Sequence, residues 1–152
     1  EESLHTFGNH IYFLRVEDDS WYQQHRIARD WGGDLASVHS QDEVDFINTF
    51  TTSNTWIGGR RIIDWGRKNN DRFIWSDGSA WDFTKWKTGE PNNYGYDEDK
   101  VEINYSERKK WNDNRGSANA PAVMKFLIPD DNICFVVTGN NDSINGHSER
   151  YL

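Results

Sequence analysis

Glu90-Pro91-Asn92-Asn93-Tyr94-Gly95-Tyr96-Asp97-Glu98, followed by Trp111-Asn112-Asp113, is the most informative stretch of this chain. It spaces five hard-oxygen side chains in a fixed order. Glu90, Glu98 and Asp113 supply carboxylates, and Asn92 and Asn112 supply amide oxygens. That set suits Ca²⁺, which takes about six to eight oxygen ligands in a flexible shell. It lacks the thiolate and imidazole donors that zinc or copper prefer. Any one of these short motifs alone reads as a polar turn, whereas all of them in step read as a metal site.

Outward from this segment, the chain divides into an early helical half and a later half of strands and loops. Ile11–Val16 has the pattern of a strand. Ser20-x-x-Gln23 is a capping-box start for a helix from Trp21 to Trp31, stopped by Gly32-Gly33. Ser40-Gln41-Asp42-Glu43 opens a second helix through Val44, Phe46, Ile47 and Phe50. After Trp56 the helical period disappears. Short strands are predicted around Trp56-Ile57, Phe73–Trp75, Val101–Ile103, Lys110-Trp111 and Val123–Ile128, separated by Gly/Asn/Asp-rich turns. This order predicts an α+β domain. The stretch from Trp81 to Lys100 carries little regular pattern, and a loop of that length is usually functional.

With 152 residues, the chain is expected to form one domain with a sizeable core. A net charge of −8 argues against nucleic-acid or anionic-membrane partners, which favour a basic stripe. No apolar run approaches the roughly 20 residues of a membrane span. The chain opens Glu1-Glu2-Ser3 with no visible signal peptide, so a secreted protein's numbering is expected to begin after cleavage or at a chosen boundary.

The pattern resembles the carbohydrate-recognition domain of C-type lectins. Besides the segments quoted, the likeness is carried by Gly32-Gly33-Asp34-Leu35-Ala36-Ser37-Val38, Trp56-Ile57-Gly58-Gly59 and Phe73-Ile74-Trp75-Ser76-Asp77-Gly78-Ser79. Trp86-Lys87-Thr88-Gly89, Glu98–Ile103 and Ala122–Phe126 complete it. The resemblance implies the C-type lectin-like fold, with two helices, small antiparallel sheets and a long calcium-binding loop region. It places a carbohydrate-recognition domain at residues 1–126 and leaves 127–152 as a C-terminal extension packed on the same domain. Carried over position by position, the family's principal calcium ligands fall on Glu90, Asn92, Glu98, Asn112 and Asp113.

The resemblance also implies a chemistry for these residues. Two neighbouring sugar hydroxyls each ligate the metal, donate a proton to a carboxylate and accept from an amide N–H. Glu90 and Glu98 are the acceptors, Asn92 and Asn112 the donors, and Asp113 ligates the metal alone. Pro91 permits a cis Glu90–Pro91 bond. Within the family, Glu-Pro-Asn goes with mannose-type sugars (mannose, glucose, N-acetylglucosamine, fucose), whereas galactose binders tend to carry Gln-Pro-Asp. Tyr94 and Tyr96 are candidates to stack on a sugar face, and Trp111 is expected to anchor the core beneath. A second, auxiliary calcium is disfavoured. The loop where the family places acids carries Arg60 and Arg61, and Asn93 offers only an amide.

The expected function is calcium-dependent binding of glycans with mannose-type ends, outside the cell as a secreted or cell-surface protein. Weak single sites then call for a homo-oligomer or multivalent display. The alternative is an adhesion module of the same fold that binds protein or another surface. An enzyme is not expected. His5, His10, His25, His39 and His147 are scattered, and Glu90 and Glu98 are committed to the metal.

Cysteine usage departs from the family. The resemblance would place one disulfide between positions 28 and 124 and another between positions 100 and 116. This chain has Ala28 with Met124, and Lys100 with Gly116. The lone Cys134 lies in the apolar run Ile133–Val137, read as a further strand with a buried thiol. Each missing bridge forgoes about 2–4 kcal/mol. Eight Trp, eight Phe and six Tyr are the expected compensation, since burying each large ring contributes about 1.5–3 kcal/mol.

Overall fold

The computed structural model describes residues 3–63 and 71–129. Its strands are β1 (Leu4–Phe7), β2 (His10–Asp19), β3 (Asp34–Leu35), β4 (Thr55–Arg61), β5 (Phe73–Trp75), β6 (Lys100–Ile103), β7 (Trp111–Asn114) and β8 (Ala120–Leu127). Its helices are α1 (Trp21–Asp30) and α2 (Gln41–Asn48). The strands run in the order β1-β2-β8-β4-β6-β7, with β3 added to β8 and β5 to β4. Every pairing is antiparallel except β4 with β8, where Trp56 faces Ala122 in parallel and joins the two halves into one mixed sheet. The α+β class and the two helices read from the sequence are those observed. The strands form one mixed sheet where small antiparallel sheets were expected, because β4 and β8 pair in parallel.

Both helices begin where the serines predict. Ser20 and Ser40 accept hydrogen bonds from the backbone N–H of Gln23 and Glu43, filling two of the donors that a helix start leaves open. Glu43 also ties α2 to the sheet. One carboxylate oxygen accepts from Tyr12 Oη and Lys125 Nζ, each at 2.6 Å, and the other accepts from the His39 N–H. α1 stops at Asp30, and Trp31 serves as its C-cap.

The structure adds β1 and β3 to the predicted strands, and β2 runs on to Asp19. Gly8, at φ +59°, closes the two-residue turn between Phe7 and His10 that makes β1 a partner of β2. The predicted strand at Ile133–Val137, Cys134 and nearly all of the 127–152 extension lie outside the described residues.

The missing bridges are replaced by packing. Ala28 and Met124 are both fully buried in one apolar cluster with Trp21, Leu35 and Trp56. At the other position, Tyr22 fills the gap. Lys100 Nζ lies 5.0 Å from its ring centroid, and a Cβ on Gly116 would fall 2.8 Å from the same ring. A cation–π contact and a glycine therefore stand where the resemblance would put a crosslink.

Trp111 is completely buried, with Trp75, Trp81, Trp86 and Phe83 all within 6 Å between ring centroids. Its backbone N–H donates to the Lys85 carbonyl at 2.8 Å, and its carbonyl accepts from Lys87 N–H at 2.9 Å. The long loop after β5 is thus pinned to the first residue of β7. The Glu90 N–H donates in turn to the Lys87 carbonyl at 2.9 Å, which carries this anchor to the start of the binding loop.

Candidate functional site

Glu90 opens the binding loop, and its bond to Pro91 is cis. The Asn92 N–H then donates to both Glu90 Oε2 and Asp113 Oδ1, each at 3.1 Å. The Tyr94 N–H donates to both Asn92 Oδ1 and Glu98 Oε2, each at 2.9 Å. Two backbone donors therefore gather oxygens from four of the five side chains singled out in the sequence. Asn93, between these two donors, sits in the left-handed region at φ +47°, which turns the loop. Asn93 fixes that turn from two directions, donating from its N–H to Asp113 Oδ2 at 2.8 Å and accepting at Oδ1 from the Glu98 N–H.

Asn112 behaves differently. Successive side chains on β7 point to opposite faces. The Asn112 amide donates to Glu102 Oε1 at 3.0 Å, as does Asn114, whereas Asp113 faces the loop. Glu102 is fully buried and was not singled out as a site residue. Its signal in the sequence is a charged residue inside the β-branched run Val101-Glu102-Ile103. Partial burial, followed by a hydrogen bond with Asp113 and its charge, pushes the Glu90 carboxyl up to about 7. Glu98 is also raised, by burial first and then by the charges of Asp113 and Asp97.

Arg61 is the other residue whose role at the site went unread. At the end of β4 it is 6 % exposed, and its Nη2 donates to Asp113 Oδ2 at 2.6 Å. Its Nε donates to the Glu98 carbonyl at 3.2 Å, and its Nη1 donates to Asp71 at 2.7 Å. Tyr94 and Tyr96 are largely exposed, at 72 % and 69 %. With Asp71 and residues 91–93 they line an open hollow of about 400 Å³ beside the gathered oxygens.

The donor set fits a hard cation. Glu90, Glu98 and Asp113 crowd three acids together, and two of them are pushed toward the protonated form. A divalent ion would relieve that crowding, with oxygen ligands of the kind calcium takes. Among the described residues, no His, Cys, Asp or Glu side chains form a ready-made metal cluster, so a cation would have to draw these oxygens closer.

The family model for the lectin C-type domain matches residues 17–125. The chain belongs to the C-type lectin domain family. Its relatives include a protein named Lectin from Pleurodeles waltl, 36% identical over 64% of this chain and 58% of that protein. Ladderlectin of Oncorhynchus mykiss is 35% identical over 78% of this chain and 64% of that protein. The chain thus spans about three fifths of the length of these two relatives. Among solved structures, the C-type lectin CEL-I from Cucumaria echinata superposes with a TM-score of 0.74 at 27% identity, over 83% of this chain and 96% of that one. A calcium-independent type II antifreeze protein superposes with a TM-score of 0.73 at 22% identity, over 82% of this chain and 91% of that one. The chain's C-type lectin domain homologues are non-enzymatic binding proteins. Family membership points to carbohydrate binding, while the antifreeze neighbour shows that the fold alone does not require it. Among the described residues, no helix of this C-type lectin domain is long and apolar enough to cross a membrane.

Proposed function

We propose that the chain is a calcium-dependent lectin that binds mannose-type sugars. The observation that carries this reading is the pair of shared donors, Asn92 N–H and Tyr94 N–H, which turn oxygens of Glu90, Asn92, Glu98 and Asp113 toward one another. Glu90, Asn92, Glu98 and Asp113 would hold the ion, with Asn112 joining if its amide turns from Glu102. The ion would supply the positive charge that vicinal sugar hydroxyls ligate. Glu90 and Glu98 would accept the hydroxyl protons, and the Asn92 amide would donate to the same oxygens. Tyr94 and Tyr96 would offer apolar ring faces beside the hollow. The protein would act outside the cell, secreted or at the cell surface, where calcium is high enough to fill a weak site. So shallow a site gains strength by multivalency, through an oligomer or repeated display. A glycan array with and without chelator tests the reading: mannose-type glycans bound in calcium and released by chelator are expected.

A second reading has its own supporting contact. Arg61 already neutralises Asp113 at 2.6 Å, which favours a calcium-independent adhesion module that binds protein or another surface. Array binding unaffected by chelator, or binding to protein partners alone, would favour it.

A further inference from the structure

Arg61 joins three separate pieces of the binding region from a buried position. Its guanidinium reaches Asp113 on β7, the Glu98 carbonyl at the end of the loop, and Asp71 before β5. Its own backbone N–H donates to the Asp99 carbonyl at 2.7 Å. The guanidinium carbon lies 4.6 Å from the Phe73 ring centroid, so the cation has an aromatic face beneath it as well as anions around it. A planar fork of five donors suits such divergent contacts, and an ammonium does not. The contacts to Asp113 and to the Glu98 and Asp99 carbonyls fall on or beside residues of the proposed site. Asp113 Oδ2 is held by Arg61 and the Asn93 N–H, which leaves Oδ1 to the Asn92 N–H.

We propose that Arg61 is a fixed internal cation that keeps the 90–99 loop in its binding shape when calcium is absent. The inference deepens the reading of this loop as the sugar site, yet it concerns the calcium-free protein and is tested there. Buried charge that is fully paired and hydrogen-bonded can hold a local structure, while a buried carboxylate stripped of its partner pushes the structure apart. Without Arg61, Asp113 would remain buried beside Glu90 and Glu98, its charge met by the Asn92 and Asn93 backbone amides and by no cation at its own carboxylate. The loop would then depend on calcium for its order.

The test is hydrogen exchange of the full chain, read by mass spectrometry on peptides covering 90–99 and, for reference, β2 and β8. In chelator, the wild-type loop should exchange at least about tenfold more slowly than an unstructured peptide. Arg61→Met keeps an unbranched apolar stem over Phe73 and removes the charge. In chelator it should lose loop protection by about that factor, while β2 and β8 keep theirs, and saturating calcium should restore the loop. Arg61→Lys should fall between the two, because it keeps the charge and loses the fork. A wild-type loop unprotected in chelator overturns the proposal whether or not any variant folds. So does an Arg61→Met loop as protected as wild type, or protection lost equally from loop, β2 and β8. If the wild-type loop is protected and the protein binds no sugar, the proposed function fails and the role of Arg61 stands.

Discussion

Asn112 Nδ2 lies 3.0 Å from Glu102 Oε1, across the β6–β7 pairing that sets these two residues opposite each other. The same oxygen accepts from Asn114, and Asn54 donates to the other at 3.4 Å. A buried carboxylate thus aims the amide of Asn112. Glu102→Ala would leave these amides without their acceptor and open a cavity, costing about 1–3 kcal/mol. A lower unfolding midpoint and tighter calcium binding are expected, because the Asn112 amide is freed to turn toward the ion. Unchanged calcium affinity would show that the orientation of Asn112 does not matter to the site.

Burial raises the Glu102 carboxyl above its usual 4.5, which gives a pH signature. A group raised on folding favours the protonated form of the folded state. Its contribution is fully present below the unfolded value and is lost as pH rises through the folded one. Glu102→Gln removes the titration with little change of shape. Its stability relative to wild type should therefore increase as pH rises above about 4.5. Denaturant unfolding across pH checks this, and a constant difference would place the titration elsewhere.

Glu90 titrates in the same sense. In calcium-free protein its carboxyl sits at about 7, so stability should fall as pH rises from about 4.5 through 7. Calcium takes the ionised form, so the gain in unfolding midpoint on adding calcium should grow over the same window. Acid should release bound sugar, with a midpoint that moves lower as calcium is raised. A pH profile indifferent to calcium would assign the titration to another group.

The Asn92 amide offers a split between metal and sugar. Asn92→Asp adds a negative charge for the cation and removes a hydroxyl donor. Sugar affinity should then fall more than calcium affinity in calorimetry, and equal losses would argue against the double role. The pair Glu90→Gln with Asn92→Asp exchanges donor and acceptor, and should shift preference toward galactose.

Bridges can be restored at one position and not the other. Ala28 and Met124 are fully buried in the same cluster, so Ala28→Cys with Met124→Cys should crosslink and add about 2–4 kcal/mol. Lys100→Cys with Gly116→Cys should not crosslink while Tyr22 remains, because its ring lies 2.8 Å from the Cβ position of residue 116. Thiol titration of the two double variants reads both outcomes.

What the sequence disclosed follows from how local each signal is. Ser20 and Ser40 bond within their own first turns, so both helix starts could be read from four residues. Phe73–Trp75 is the strand predicted, whereas Asp34-Leu35 becomes a strand only by pairing with Lys125 and Met124, far along the chain. Glu90, Asn92 and Glu98 lie close in sequence, and shared backbone donors of their own loop bring their oxygens together. Arg61 was not legible. Arg60 and Arg61 are adjacent and chemically alike, and only strand alternation, with a register shift between Trp56 and Arg60, exposes the first and buries the second. The partner of Asn112 was hidden for the same reason, since Glu102 meets it through strand register alone.

Titration of α-methyl mannoside by calorimetry, in millimolar calcium and again in excess chelator, tests calcium-dependent sugar binding most directly. The expected result is a dissociation constant near ~1 mM, about −4 kcal/mol, with calcium present. Chelator should abolish the heat, and readdition of calcium should restore it. Mannoside binding of equal strength in chelator, or galactoside bound in preference to mannoside, would contradict the role given to Glu90, Asn92, Glu98 and Asp113.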